Sequence, residues 1–73
     1  MSKSQTRVSM KNRITRIAYE YPNQVTILIG ARRYVCISSE VMCRKLDWMF
    51  TKGAGFNALR WFKANGGEVK LDA

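Results

Sequence analysis

Residues 13–37 read RITRIAYEYPNQVTILIGARRYVCI, and this stretch decides the fold. Apolar and polar side chains alternate along it, which is the pattern of half-buried strands. Residues 22–24 (PNQ) and 30–32 (GAR) interrupt the alternation with residue types that favour turns. The stretch therefore predicts three antiparallel strands joined by two tight turns, a β-meander.

Loop length determines which side chains share a face of this meander, because a slip of one residue turns a strand over. With three-residue loops eight apolar side chains pair on one face, whereas two-residue loops divide these eight between the faces. We therefore expect three-residue loops, with the pairs Tyr21–Val25, Tyr19–Ile27, Ile17–Ile29, Ile27–Val35 and Val25–Ile37. The opposite face would carry Arg16, Ala18, Leu28, Tyr34 and Cys36.

A first helix is predicted directly after the meander. Ser38-Ser39 can cap a helix, and Glu40 suits the positive end of the helix dipole. The helix extends to about Lys52, and one side of it is apolar, formed by Met42, Cys43, Leu46, Met49 and Phe50. This side is expected to cover the apolar face of the sheet. Val41 and Trp48 would then lie on the other side, among basic residues.

A second helix is predicted over residues 56–65, between the glycines of residues 53–55 and Gly66-Gly67. Its core side would be formed by Phe56, Ala58, Leu59 and Phe62. Residues 68–72 alternate again, which allows a short C-terminal strand. The expected architecture is one α+β domain over residues 13–73, a three-stranded antiparallel meander followed by two helices packed on one face. Residues 1–12 are interpreted as a flexible basic N-terminal arm.

Charge is the strongest indicator of the kind of partner. The 73 residues include 13 Lys and Arg against five acids, a formal net charge of +8. This excess favours an anionic partner, either nucleic acid or an acidic protein surface. The chain has no apolar run of about 18 residues and no signal-peptide pattern. We expect a cytoplasmic monomer that does not bind membranes.

Catalytic chemistry has little support in the sequence. There is no histidine, and the five acids form no close pair along the chain. Two cysteines alone cannot form a tetrahedral zinc site, and in a cytoplasmic protein they are expected to be buried thiols. We therefore expect a binding protein with no catalytic residue, no metal and no cofactor.

The N-terminal segment is the first candidate binding site. Five positive charges and no negative one precede Tyr19, and apolar side chains are interleaved with them. This composition suits either a solvated tail or an arm that docks on a partner, for example as an added strand. The predicted partner-binding residues are Arg7, Val8, Met10, Lys11, Arg13, Ile14 and Arg16.

Nucleic acid is the alternative partner. An exposed Trp48 in a basic setting could stack on a base or anchor a protein contact, although such a side chain more often packs under a neighbouring loop or the second helix. Asn57, Arg60 and Lys63 would face outward if the two helices formed a helix-turn-helix, but that motif normally needs a third helix. The outer sheet face has too few aromatics for an RNA-recognition sheet. Candidate nucleic-acid-binding residues are Arg32, Arg33, Arg44, Lys45, Trp48, Lys52, Arg60 and Lys63.

In its length, basic N-terminus, small α+β body and lack of catalytic residues, the chain resembles small lytic-phage regulators of host RNA polymerase. This group includes a transcription inhibitor and antiterminator from a Xanthomonas phage. The resemblance implies binding to the amino-terminal part of the polymerase β′ subunit through residues 6–16. It also implies inhibition of initiation, antitermination, or both. Small phage inhibitors of CRISPR effectors share the same profile and are a competing interpretation.

Overall fold

The computed structural model describes residues 13–20 and 22–72. The predicted arm over residues 1–12 and Tyr21 lie outside the described residues. The elements are β1 Ile14–Glu20, β2 Gln24–Ile29, β3 Arg32–Ile37, α1 Glu40–Thr51, α2 Phe56–Ala64 and β4 Glu68–Leu71. The strands form one antiparallel sheet in the order β1-β2-β3-β4. This confirms the α+β fold, the meander, the two helices and the short C-terminal strand.

The expected register of the second hairpin is wrong. Ile29 pairs with Arg32, so the loop consists of only Gly30 and Ala31. Gly30 has φ 63°, the left-handed conformation that a type II′ turn requires at its first loop position. This turn matches the twist of the strands better than the three-residue loop that we expected.

The two-residue turn shifts β3 by one residue and exchanges its faces. Cys36 pairs with Val25 and is fully buried, while Tyr34 pairs with Ile27 and packs against the core. Val35 and Ile37, predicted for the core face, therefore lie on the opposite face.

The register of the first hairpin also differs from expectation. Tyr19 pairs with Val25, and the pairing shifts between Arg16 and Ala18 so that Ile17 forms a β-bulge. Beyond the bulge Arg16 pairs with Ile27, which places Arg16 on the helix side of the sheet. Ile17, predicted for the core face, is instead 41% exposed.

The hydrophobic core lies between one face of the sheet and both helices. Its buried members are Val25, Ile27 and Cys36 of the sheet, Cys43 and Leu46 of α1, and Ala58, Leu59 and Phe62 of α2. Ile14, Tyr19, Ile29, Tyr34, Met42, Met49, Phe50 and Trp61 are among the partly buried side chains packed around them.

Local hydrogen bonds mark where α1 begins and where α1 and α2 end. Ser39 Oγ accepts a hydrogen bond from the Met42 amide at 3.3 Å, which is the predicted N-cap of α1. After α1, the Ala54 amide donates to the Met49 carbonyl at 3.0 Å. After α2, the Gly67 amide donates to the Phe62 carbonyl at 2.9 Å, and both ends have the hydrogen-bond pattern of a Schellman motif. Neither α1 nor α2 is long and apolar enough to cross a membrane.

Candidate nucleic-acid interface

The side of α1 that faces away from the sheet combines basic and apolar side chains. Cys43 and Leu46 point into the core, so the helical period places residues near positions 41, 44, 45, 48 and 52 on the opposite side. We call this the α1 outer face, and its members are Val41, Arg44, Lys45, Trp48 and the capping residue Lys52. Trp48 is 56% exposed and Val41 is 77% exposed. The predicted position of Trp48 among basic residues is confirmed.

Two lysines of this face lie next to indole rings. Lys52 Nζ is 6.0 Å from the centre of the Trp48 ring, and Lys45 Nζ is 5.6 Å from the centre of the half-buried Trp61 ring. Trp61 belongs to α2, so the second contact links the two helices. Both distances lie in the range of cation–π attraction. The lysines are thereby held near the aromatic surfaces.

The acids of the helical layer already have ion-pair partners. Glu40 Oε2 is 3.0 Å from an Arg44 nitrogen, one turn along α1. Asp47 Oδ1 is 3.0 Å from Arg16 Nε in β1. Between positions 40 and 64 there are five cations and only these two acids. The outward surface of the two helices is therefore basic.

A second basic surface lies at α2. A shallow recess of about 350 Å³ is lined by Ile29, Phe56, Leu59, Arg60 and Lys63; we call it the α2 recess. Phe56 is 44% exposed, so its predicted place in the core is wrong. The physical reason is helical geometry: Phe56 lies on the same side of α2 as Arg60 and Lys63, whereas Ala58, Leu59 and Phe62 face the core.

Arg32 and Arg33 do not line the α2 recess. They lie where β3 begins, in a separate depression with Ala31, Leu71 and Asp72. Arg33 pairs with Leu28 and so faces away from the helices. Of the eight predicted nucleic-acid-binding residues, the structure gathers Arg44, Lys45, Trp48 and Lys52 on α1, and Arg60 with Lys63 on α2.

The predicted partner-binding arm is only partly described. Arg7, Val8, Met10 and Lys11 lie outside the described residues. Arg13 is exposed just before β1. Ile14 packs against the core, because it pairs with Ile29, and Arg16 is held by Asp47. Ile14 and Arg16 therefore make contacts within the domain, and their role in binding a partner stays a prediction.

Both cysteines are fully buried free thiols. Burial raises the pKa of Cys36 to about 12, with a further rise from the neighbouring Cys43 and a smaller opposing effect of Lys63. Burial also raises the pKa of Cys43, partly offset by a hydrogen bond with the Ser38 backbone. Neither thiol has the lowered pKa of a nucleophile. No group of His, Cys, Asp and Glu within the described residues could hold a metal ion.

No match was found for this chain among protein-family models, curated proteins or solved structures. Function is therefore inferred from the surface of the chain itself. Sequence reasoning missed Phe56 and gave no role to Val41 or Trp61. The position of Phe56 one turn before Arg60 was the available signal, whereas the contact between Lys45 and Trp61 depends on how the helices pack.

Proposed function

We propose that this protein binds single-stranded nucleic acid on the α1 outer face and catalyses no reaction. The observation that carries the proposal is the exposure of Trp48, 56%, between Arg44, Lys45 and Lys52. A large aromatic ring exposed to water on a basic helix suits an unpaired base, which can stack on it. Stacking of this kind contributes about 1–3 kcal/mol per base.

The neighbouring cations would contact the phosphates on either side of the stacked base. Lys45 lies about one turn before Trp48 and Lys52 one turn after it, so the three side chains follow the helix axis. Arg44 forms an ion pair with Glu40, so it is expected to attract a phosphate less strongly than the lysines do. This arrangement recognises a backbone and a ring rather than a base sequence. Sequence preference is therefore expected to be low.

A single strand fits this surface better than a duplex. Bases in a duplex are stacked on each other, and their edges are read by hydrogen-bonding side chains. The centre of the α1 outer face is instead an indole ring. A helix-turn-helix is also disfavoured, because both helices pack on the sheet and the described residues before α1 form strands.

The proposal is tested by fluorescence anisotropy with a labelled thymidine oligomer and the full chain. Trp48→Ala should weaken binding about 5- to 150-fold, the loss of one stacked base, while Trp48→Phe retains part of the affinity. Lys70→Gln, a charge change on β4, serves as the control. Equal affinities of the wild type and Trp48→Ala would contradict the proposal, as would tighter binding to a duplex of the same length.

A bacterial RNA polymerase is the second candidate partner, with inhibition of initiation or antitermination as the outcome. The observation that favours a protein partner is the 77% exposure of Val41, two turns before Trp48 on the same face of α1; the two exposed apolar side chains could anchor a protein contact. The β′ subunit and a cytoplasmic location follow from the resemblance to phage regulators. Nucleic acid and polymerase are compatible partners, since transcription brings them together.

The polymerase hypothesis has its own test. The full chain should retain polymerase from a nuclease-treated bacterial lysate at moderate salt. Reversing the charge at Arg7, Lys11 and Arg13 should abolish retention without changing the melting curve. Retention by this triple variant, or loss of polymerase on nuclease treatment, would contradict a direct contact through the arm.

A further inference from the structure

The α2 recess combines an apolar floor with a cationic rim. Ile29 is half-buried and Leu59 is buried. Together they form the floor of the recess, beside the exposed edge of Phe56. Arg60 and Lys63 are exposed and lie on adjacent turns of α2. Its volume, about 350 Å³, lies at the lower end of the range of small-ligand sites. The recess therefore suits a ligand with a small apolar or aromatic part and an adjacent negative charge.

The recess and the α1 outer face belong to one basic layer. Lys45 of the α1 outer face contacts Trp61 of α2, and the exposed side of α2 continues from Trp61 past Asn57 and Arg60 to Phe56 and Lys63. No acidic residue lies on α2. An extended anion seated on Trp48 can thus continue across α2 without meeting a negative charge on that helix.

We propose that the α2 recess is a second nucleotide position for the same nucleic-acid strand. Its base packs against Phe56, and Arg60 and Lys63 hold the adjoining phosphates. This inference rests on the proposed function and extends it from one stacked base to a strand that crosses both helices. Such a strand gains affinity from its length, because binding at the first position makes binding at the second intramolecular.

A nucleotide fits the recess better than an acidic peptide does. The floor offers one aromatic edge and no hydrogen-bonding side chain. An apolar floor of this kind suits the face of a flat aromatic ring. Two cations on adjacent turns match successive phosphates of a strand that is already bound at α1. An acidic peptide would have to bind the recess without that second anchor.

The experiment measures the affinity of the full chain for thymidine oligomers of increasing length, at several salt concentrations. The test variant is Arg60→Gln with Lys63→Gln, both at exposed positions. The control is Lys70→Gln, which removes one exposed positive charge from β4 and is compared with the single variants Arg60→Gln and Lys63→Gln. Phe56→Ala, checked by its melting curve, tests the aromatic contact separately.

In the wild type we expect affinity to rise about tenfold or more once the oligomer is long enough to reach both positions. The Arg60/Lys63 variant should lose this rise yet bind the shortest oligomers as the wild type does. Its slope of log affinity against log salt should be shallower by about 1.4 for long oligomers, at roughly 0.7 per phosphate. Phe56→Ala should lose affinity for long oligomers with an almost unchanged salt slope.

The proposal is overturned if the Arg60/Lys63 variant binds long oligomers like the wild type, or if neither single variant, Arg60→Gln or Lys63→Gln, loses more affinity than Lys70→Gln. It is also overturned if the recess variants lose binding to an aromatic acidic peptide while their affinity for DNA is unchanged. In both cases Trp48→Ala would still weaken the binding of thymidine oligomers. Failure of the proposed function itself is distinguishable, because Trp48→Ala would then leave binding unchanged at every length.

Discussion

Arg16 Nε lies 3.0 Å from Asp47 Oδ1, and this ion pair joins the first half of β1 to α1. The oxygen has almost no exposed surface, and the contact is an ion pair rather than an aligned hydrogen bond. The pair is possible because Arg16 pairs with Ile27 and so lies on the helix side of the sheet. A cation that the sequence would assign to a partner thus stabilises the domain.

Arg16→Gln should lower the free energy of unfolding by about 1 kcal/mol, because it leaves the largely buried Asp47 oxygen without its cation. Urea denaturation at neutral pH measures the change. Lys70→Gln is the comparison: Lys70 and Glu68 are 3.6 Å apart and both more than half exposed, so its loss should cost about 0–0.5 kcal/mol. Equal effects of the two substitutions would show that the Arg16 pair contributes no more than an ordinary surface pair.

Stability should fall in alkaline solution because of the buried thiols. The pKa of Cys36 is raised from 9.0 to about 12 in the folded protein, so between these values the unfolded chain binds fewer protons. The free energy of unfolding then decreases with pH, by up to about 1.4 kcal/mol per pH unit for this group. Below about pH 8 the thiol contributes almost no pH dependence, because it is protonated in both the folded and the unfolded chain.

Urea denaturation from pH 8 to pH 11 tests this expectation. Cys36→Ala should show a shallower decline above pH 9 than the wild type, whatever its stability at pH 8. Cys43→Ala should also make the decline of the unfolding free energy shallower, since burial raises the pKa of Cys43 as well. Parallel curves for the wild type and Cys36→Ala would contradict the assignment.

Gly67 should not tolerate a side chain. A Cβ atom at this position would lie 2.4 Å from two ring carbons of the fully buried Phe62. The ring has little room to move, so Gly67→Ala should cost about 1–3 kcal/mol of unfolding free energy. Thermal and urea unfolding would show it.

A double-mutant cycle shows whether the lost stability comes from the clash with the Phe62 ring or from the backbone at Gly67. Phe62→Leu removes the ring carbons and is itself destabilising. In a double-mutant cycle Gly67→Ala should then cost less in the Phe62→Leu background than in the wild type. Additive losses would exclude the steric clash as the cause.

The lysines of the α1 outer face should affect the salt dependence of binding more than fold stability. Both side chains are exposed, so Lys45→Gln with Lys52→Gln should alter the unfolding free energy by less than about 0.5 kcal/mol. For single-stranded DNA the slope of log affinity against log salt should become shallower by about 1.4, the contribution of two phosphates. An unchanged slope with weaker binding would indicate that the lysines act only through the tryptophan rings.

The sequence predicted the elements better than their pairing. Helix and strand periods, the Ser39 cap and the glycines after each helix were sufficient to place α1, α2 and β4. The prediction assigned the wrong face of β3 to the core, because this strand has apolar side chains on both faces. Tyr34, Val35, Cys36 and Ile37 are all compatible with burial. A strand without polar alternation does not reveal its core face, so the geometry of the turn at Gly30 decided the register.

One part of the candidate site could likewise be predicted from the sequence and another part could not. The α1 outer face was predictable, since its members follow from the helical period alone. The α2 recess was not, because Ile29 enters it from a distant strand and Phe56 has the composition of a core residue. Likewise, nothing near Arg16 in the sequence indicates that its partner is Asp47.

The β-bulge at Ile17 has a further consequence, for the length of the chain. Ile17 is a surplus residue, since Arg16 and Ala18 pair with the adjacent residues Ile27 and Thr26. A protein that lacks Ile17 could therefore keep every strand pair and the Arg16–Asp47 contact. What it would lose is the additional local twist that a bulge introduces. The curvature of this sheet edge over α1 thus depends on one amino acid that has no pairing partner, and a deletion there would flatten the edge rather than unfold it.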